Sequence, residues 1–270
     1  MKLLSWNTAG RTKIIENQYL AIQEIDPDIL CLQEIQANGD EYWIKILSND
    51  YEYIISSFDL VGERTKTGPR KFHLIIASKL PIVLKNVSFE YVPWAERLLI
   101  VELENQGLKI ATTHIPPGST NGWVKIEFFE GLYKLLSEDN LILTGDFNSP
   151  RKEFSDGRTM TWGQFLNSKG EIKVLKKREG REGQRWHDAE YNLLRGISDI
   201  GYLDYFRHLN GFETEAYSWI SNVNSNHRYR FDHAIGPQKM MLKEAKYLNE
   251  LIELKLSDHA ALLLDFEVKK

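Results

Sequence analysis

The sequence predicts an α/β fold in which two mixed β-sheets pack face to face with helices outside. Short apolar runs rich in β-branched residues outnumber the amphipathic segments. Several neighbouring runs are separated only by short turns, which favours mixed sheets over a doubly wound parallel sheet. No repeat, low-complexity tract or long linker interrupts the chain, so we expect residues 1–270 to form a single domain.

Individual elements follow from local periodicity and from the residues that end each segment. Helices are predicted where apolar residues recur at helical spacing, at 14–25, 123–136, 160–167 and 189–197, and Pro27 ends the first of them. Strands are predicted at 3–6, 28–32, 51–56, 72–78, 82–92, 98–103, 108–113, 141–144, 217–220, 230–235 and 260–266. The charged, glycine-containing stretch 169–187 is expected to be a surface loop.

Composition and charge narrow the class of protein. A net charge of −4 argues against a strongly basic nucleic-acid coat protein, but not against an enzyme that acts on nucleic acid. The single cysteine, Cys31, excludes internal disulfides and suits a reducing compartment. No apolar run has the length of a signal peptide or a membrane span. We therefore expect a cytoplasmic protein with no membrane partner.

Polar residues recur where the predicted buried strands end. They are Asn7, Glu34, His114, Asp146, Asn148, Asp232, His233, Asp258 and His259. Burying an acid or an amide without a partner is costly, and packing alone does not explain why strand after strand ends this way. Strand ends around a cleft are where α/β enzymes place their reacting groups. The pattern therefore predicts a catalytic site.

The residue types in this set suit hydrolysis of a phosphate ester. Glu34 with Asn7 offers the oxygen ligands that Mg²⁺ or Mn²⁺ requires, and no cluster of cysteines or closely spaced histidines indicates zinc. Asp146 can accept a proton from water. Asn148 can hold a phosphate oxygen or the attacking water.

The two histidines His114 and His259 can bind or protonate a non-bridging phosphate oxygen as negative charge develops. A carboxylate beside such an imidazole fixes its tautomer and keeps it charged. Asp258, which precedes His259 in the chain, and Asp232 are both candidates for that role.

Four motifs in order resemble the signatures of the endonuclease/exonuclease/phosphatase superfamily. They are Leu4-Ser5-Trp6-Asn7, Leu32-Gln33-Glu34, Thr144-Gly145-Asp146-Phe147-Asn148 and Ser257-Asp258-His259. The resemblance spans nearly the whole chain and implies a four-layered α/β sandwich, two β-sheets flanked by helices. It also implies a metal-dependent phosphoric ester hydrolase that is a monomer.

The resemblance implies roles for single residues. Glu34 would bind Mg²⁺, with Mn²⁺ as the other candidate, and Asn7 and Asp258 are further candidate ligands. Asp146 and Asn148 would prepare the water and hold the phosphate. Asp232 would orient the water or His259, which stabilises the transition state with support from Asp258.

The substrate is predicted from features that point in two directions. His114 resembles the histidine of deoxyribonuclease I and the sphingomyelinases, where the exonuclease III branch has a tyrosine. The segments 201–207, 217–219 and 230–232 resemble the DNA-repair branch instead. DNA is therefore the leading substrate.

Four side chains are candidates for contacting that substrate. Arg97 resembles an arginine that steadies the phosphate in some members of the superfamily. Trp219 can stack on a base or a sugar. Arg64 and Arg70 lie in a basic stretch that can meet the phosphodiester backbone.

Two other functions remain open. The same residues can hydrolyse a small-molecule or lipid phosphate ester, although no amphipathic membrane-binding helix is evident in the sequence. An inactive nucleic-acid-binding module is the alternative outside the enzymes. It is disfavoured because Glu34, Asp146 and His259 are all present.

Overall fold

A computed structural model describes residues 1–61, 67–104, 106–221 and 227–268. Within these ranges the chain forms two six-stranded mixed sheets that pack face to face, with helices against their outer faces. The predicted α/β sandwich of four layers is confirmed.

The first sheet has the strand order β19-β20-β1-β2-β4-β3. Its strands are β1 Lys2–Asn7, β2 Ile29–Gln36, β3 Tyr53–Ser56, β4 Phe72–Ser78, β19 Met241–Leu248 and β20 Ala261–Glu267. β1 and β2 are parallel, and the other pairs are antiparallel.

The second sheet has the order β15-β18-β8-β7-β6-β5. Its strands are β5 Ile82–Leu84, β6 Leu98–Leu103, β7 Leu108–His114, β8 Leu141–Asp146, β15 Tyr202–Asp204 and β18 Asp232–Pro237. Only β7 and β8 are parallel here.

Helices and small hairpins complete the described chain. The helices are α1 Ile15–Ile25, α2 Ala37–Leu47, α3 Gly118–Asn121, α4 Val124–Glu138, α5 Gly183–Leu194, α6 Tyr205–Asn210 and α7 Glu250–Glu253. The hairpins pair β9 Lys152–Glu153 with β10 Thr159–Met160, β11 Gln164–Leu166 with β12 Ile172–Val174, β13 Lys177–Arg178 with β14 Arg181–Glu182, and β16 Trp219–Ile220 with β17 Arg228–Tyr229. No helix of the described residues has the length and apolar character that crossing a membrane requires.

The hydrophobic core has three layers, one between the two sheets and one between each sheet and the helices on its outer face. In β1, Leu3 faces the second sheet, whereas Leu4 packs with Tyr19 of α1 and Trp43 of α2 on the outer face. On the other side of the molecule, α4 and α5 cover the second sheet through residues such as Phe128. Alternate residues of a strand point to opposite faces, so one buried strand serves two apolar layers.

Three predicted elements differ from the structure. Residues 160–167 are not helical, because the end of β10 and all of β11 lie there and the chain at Gly163 runs against the backbone of α5, where a Cβ would lie 2.6 Å from the nitrogen of His187. The predicted strand 82–92 ends at Leu84, and Ser88 then opens a 3₁₀ turn. The stretch 169–187 contains short strands and the start of α5 rather than one loop.

Candidate active site

Three predicted site residues lie side by side on neighbouring strands of the second sheet. His114 pairs with Asp146 across the parallel β7–β8 ladder, and Asp146 pairs with Asp232 across the antiparallel β8–β18 ladder. All three side chains are buried. Strand register alone therefore aligns an imidazole and two carboxylates at one edge of the sheet.

Glu34 reaches the same place from the first sheet because β2 is interrupted there. The β2–β4 register shifts between Leu32 and Ile35, and Glu34 has a φ of +62°. A β-bulge redirects the side chain it contains, and bulges are frequent beside active sites. A left-handed backbone at a glutamate costs of the order of 1 kcal/mol or more, which is typical of a functional constraint. Glu34 was predicted to follow its strand, and it lies within it instead.

Glu34, His114 and Asp146 could together hold a metal ion, since one ligand atom from each lies within 4.8 Å of the others. Nε2 of His114 is 3.6 Å from Oε1 of Glu34 and 3.8 Å from Oδ2 of Asp146. Burial raises the pKa of both carboxyl groups. A buried carboxylate and a half-buried one this close together need positive charge, so the donor chemistry fits a divalent cation.

Asn7 joins these carboxylates through its amide nitrogen. Nδ2 donates to Oε1 of Glu34 at 3.1 Å and to Oδ2 of Asp146 at 3.0 Å. Oδ1 accepts from the backbone nitrogen of Ala9 at 2.9 Å, which fixes the orientation of the amide. The predicted oxygen-ligand role of Asn7 does not fit this orientation. Asn7 instead aligns the two acids.

His259 lies across the cleft with Asp232 as its partner. Nδ1 of His259 is 2.8 Å from Oδ2 of Asp232, and Nε2 is 3.9 Å from Oδ2 of Asp146. Burial lowers the pKa of His259, but the charge and hydrogen bond of Asp232, with the charge of Asp146, outweigh burial and raise the pKa to about 10. Of the two predicted supports for His259, Asp232 makes a hydrogen bond to its ring, and the charge of Asp258 raises the same pKa to a smaller extent.

Asp258 has a different neighbour from the one predicted. Its Oδ2 accepts from Nε1 of Trp219 at 3.1 Å. Among the described residues, the group of possible metal ligands does not include Asp258. Asp258 therefore holds the indole of Trp219 in place, and its charge also helps to raise the pKa of His259. It lines the same cavity, so its role as a metal ligand stays a prediction.

An aromatic wall adjoins the carboxylates, and we define it as Trp162, Trp219, Tyr229 and Phe231. Phe231 stacks with both Trp219 and Tyr229, at ring separations of 5.4 and 4.9 Å. Trp162 lies 5.9 Å from Tyr229. All four line one cavity of about 710 Å³ that also contains Glu34, His114, Asp146 and His259. Only Trp219 of this wall was predicted as a site residue.

Arg97 lines the cavity, but its guanidinium is buried against His114. Leu98, the first residue of β6, pairs with Thr113. Arg97 directly precedes β6, and its Nη1 contacts Nδ1 of His114. Nη2 donates to the carbonyl of Pro69 at 3.1 Å. Burial, followed by the charge of Arg97, holds the pKa of His114 well below its usual range.

The predicted basic stretch has a mixed outcome. Arg64 lies outside the described residues. Arg70 makes a two-pronged ion pair with the buried Glu96, with both contacts at 2.5 Å, whereas Lys71 lines the cavity. The charge of Arg70 is thus paired within the protein. Of the described basic residues of this stretch, Lys71 is the one that can contact a substrate in the cavity.

Asn148 is held by a buried ion pair that the sequence did not reveal. Its Nδ2 donates to the carbonyl of Ile115 at 2.9 Å, and its backbone nitrogen donates to Oδ1 of Asp146 at 2.8 Å. Its carbonyl accepts from Nζ of Lys125 at 2.8 Å, and Lys125 is also 2.8 Å from Glu190. Lys125 appeared only as part of an amphipathic helix, and no motif marked it.

A second buried ionic network anchors β18 behind the site. Arg230 binds both oxygens of Glu153, at 2.7 and 2.8 Å, and Oδ2 of Asp204 at 2.7 Å. Asp204 also contacts Nδ1 of His233, whose Nε2 donates to the carbonyl of Ser149 at 2.8 Å. His233 therefore links β18 to the loop after Asp146 and does not face the cavity.

Comparison with known proteins agrees with this geometry. Residues 4–259 match the Endonuclease/Exonuclease/phosphatase family. The chain belongs to this family. The predicted family and its enzyme class, the phosphoric ester hydrolases, are confirmed by this match.

Individual relatives are distant. The chain is 22% identical over 247 residues to a DNA-(apurinic or apyrimidinic site) endonuclease of Dictyostelium discoideum, covering 89% of this chain but only 63% of that protein. It is 23% identical over 232 residues to an exodeoxyribonuclease of Bacillus subtilis, covering 82% of this chain and 80% of the relative. Its fold matches that of a 3'-5' exonuclease of Neisseria meningitidis, with a TM-score of 0.71, 19% identity and coverage of 99% of this chain and 100% of the other.

Proposed function

We propose that residues 1–270 form one catalytic domain that hydrolyses phosphodiester bonds in DNA with the help of Mg²⁺, for which Mn²⁺ can substitute. The observation that carries this proposal is the convergence of Glu34, Asp146, His114 and His259 in a cavity that also has the aromatic wall. The acids and imidazoles can act on the phosphate, and the aromatic rings can stack on a base or a sugar. The curated relatives, named as DNA endonuclease and exodeoxyribonuclease, support the choice of DNA.

The side chains divide the reaction between them. Glu34 would hold the cation, with Asp146 close enough to share it, and the cation would supply positive charge to the phosphate. Oδ2 of Asp146 accepts the proton of the attacking water, and its raised pKa suits it to act as a base. Charged His259 donates from Nε2 to a non-bridging oxygen as negative charge develops there.

Positioning of the phosphate and the water depends on Asn7 and Asn148. Asn7 keeps the two carboxylates at hydrogen-bond distance from one amide, so neither swings away when the substrate enters. Asn148 lines the cavity one residue beyond Phe147, and its fixed backbone limits the positions its side chain can take. Fixed groups of this kind reduce the entropy that the reaction must lose.

The decisive experiment is cleavage of end-labelled DNA duplexes, one intact and one with an abasic site, in Mg²⁺, in Mn²⁺ and in EDTA. We expect cutting that requires the cation. A small phosphodiester and a phosphomonoester are assayed in parallel. Turnover of these alone would replace DNA by a small or lipid ester, and tight DNA binding without any turnover would indicate a binding module.

Replacing Trp219 by Ala is expected to weaken DNA binding about 5- to 150-fold, because a stacked base contributes about 1–3 kcal/mol. Fluorescence anisotropy with a labelled single strand in EDTA measures the dissociation constant without cleavage. Trp219→Phe keeps a ring but loses the hydrogen bond to Asp258, so it should retain most of the affinity. Equal affinity of Trp219→Ala and the unmodified protein would remove the aromatic wall from the DNA-binding surface.

A further inference from the structure

The contact between Arg97 and His114 restricts where the imidazole can carry its proton. A guanidinium group has five N–H donors and no acceptor. Nδ1 of His114 can therefore meet Nη1 of Arg97 only through a lone pair. An imidazole whose Nδ1 is unprotonated carries its single proton on Nε2. Imidazolium, with a proton on each nitrogen, would set two donors against each other.

We propose that Arg97 is a positioning residue that fixes His114 as the neutral tautomer with its proton on Nε2. Nε2 then presents an N–H to the centre of the site and has no lone pair for a metal. Nε2 lies 3.6 and 3.8 Å from the oxygens of Glu34 and Asp146, so this N–H would face both acids. The cation is left to the carboxylate oxygens, the ligands that Mg²⁺ prefers.

The surroundings of Arg97 make the contact durable. Arg97 and His114 are only 2% and 3% exposed. Nη2 of Arg97 is held by the carbonyl of Pro69, and the guanidinium lies 5.5 Å from the ring centre of Phe72. Thr113 donates from its hydroxyl to the carbonyl of Arg97 at 2.8 Å, which fixes the backbone. An arginine held on this many sides has little freedom to leave His114 and reach a substrate.

The consequence for the reaction rests on the proposed function. His114 would donate a hydrogen bond to a non-bridging phosphoryl oxygen without transferring its proton, whereas His259 supplies a charged donor from the opposite side. Two donors of different charge would then contact the phosphate. Arg97, which resembles a phosphate-binding arginine in sequence, would act only through His114.

Nitrogen-15 NMR of the metal-free protein tests the tautomer without reference to activity. Long-range proton–nitrogen correlations distinguish protonated from unprotonated ring nitrogens, and His114→Gln identifies the signals of His114 among the 7 histidines. We expect an unprotonated Nδ1 and a protonated Nε2. A protonated Nδ1 would overturn the proposal, whatever DNA cleavage shows.

Two variants separate this role from general packing. Arg97→Lys keeps a group that can only donate, so the tautomer should persist. Arg97→Gln can donate or accept, so the signals should move toward a mixture of tautomers. Where DNA is cleaved, we expect Arg97→Gln to lower kcat about 10- to 100-fold with little change in KM, and Arg97→Lys to restore most of it. Identical spectra for Arg97→Gln and the unmodified protein would contradict the role of Arg97.

Pulsed EPR with Mn²⁺ tests whether His114 is a ligand. We expect no nitrogen coupling that depends on His114. A coupling that disappears in His114→Gln would show that Nε2 binds the metal, and would overturn the assignment even if DNA were hydrolysed. Failure to cleave DNA, with the expected spectra, would contradict the proposed function and leave the tautomer assignment standing.

Discussion

Replacing Glu34 by Gln is expected to reduce cation-dependent turnover by about 10³-fold or more, because a catalytic cation contributes several kcal/mol to transition-state stabilisation. Gln has the shape of Glu and can still accept from Asn7, which lies 3.1 Å from Oε1. The substitution therefore removes one charge while the hydrogen bond remains available. Turnover is measured on the DNA duplex that the unmodified protein cuts best.

Metal binding and folding need separate measurements for this variant. Mg²⁺ should raise the Tm of the unmodified protein, since a ligand that binds only the folded state stabilises it, and should raise that of Glu34→Gln much less. Burial raises the pKa of Glu34, so its charge costs folding free energy at neutral pH in the absence of a cation. The metal-free variant should therefore be at least as stable as the unmodified protein.

Glu24 offers a matched control, since it is exposed on α1 and outside the cavity. Glu24→Gln makes the same chemical change and should leave turnover and the Mg²⁺-dependent Tm shift intact. Full activity of Glu34→Gln would show that the cation, if required, is held elsewhere. Loss of activity together with a lower metal-free Tm would indicate disrupted folding in place of lost metal binding.

Elements with a strong local signal were predictable from the sequence. β4 and β6 were predicted with their observed bounds, and the helix predicted at 123–136 is α4 Val124–Glu138. In each of these elements most of the apolar residues of the sequence are buried in the structure. Buried strands and long amphipathic helices are therefore specified largely by their own residues.

Elements whose environment comes from distant parts of the chain were missed. Helix α2 contains Asn38 and Gly39, which are poor helix formers, and it is stabilised by Trp43 and Leu47 packing on the first sheet. Strand β19 lies at the edge of its sheet, and half of its residues are exposed, so its sequence lacks the apolar run of a buried strand. Tertiary packing, and not local sequence, therefore determines that α2 is a helix and that β19 is a strand.

The candidate site shows the same division. Its chemical residue types could be predicted, because acids and histidines at buried strand ends are costly unless they are used. Their pairing could not, since Asp232 and Asp258 are equally plausible partners of His259 in sequence, and only the packing of distant segments brings Asp232 of β18 to the ring of His259. Lys125 was missed because a lysine in an amphipathic helix gives no sign that it is buried against Glu190.

Asp232→Asn is expected to lower turnover about 10²- to 10⁴-fold at neutral pH, because His259 loses the charge that keeps it protonated. Oδ2 of Asp232 lies 2.8 Å from Nδ1 of His259, and the carboxylate is fully buried. Asn has the same shape and no charge. With Asp232 neutralised, the effect of burial gains weight and the pKa of His259 falls from about 10.

The alkaline fall in kcat should move in a defined direction when Asp232 is replaced by Asn. In the unmodified protein, His259 stays charged until the pH approaches about 10, so the alkaline fall in kcat that it causes lies there. In Asp232→Asn that fall should move to lower pH, and part of the activity should recover as the medium is acidified below neutrality, because His259 regains its proton there. Measured kcat profiles and an NMR titration of His259 in metal-free protein follow the same group.

The free energy of unfolding should fall when His259 loses its proton. A histidine whose folded pKa lies above its unfolded value stabilises the protein fully below the unfolded pKa, and loses that contribution as the pH rises through the folded one. The unmodified protein should therefore lose this contribution between about pH 6.5 and 10, whereas Asp232→Asn lacks most of it throughout. Asp258→Asn should shift the alkaline fall less, because the charge of Asp258 raises the pKa of His259 less than the charge and hydrogen bond of Asp232 do. A larger shift in Asp258→Asn than in Asp232→Asn would mean that the residue adjacent in sequence, and not the one hydrogen-bonded to the ring, keeps His259 charged.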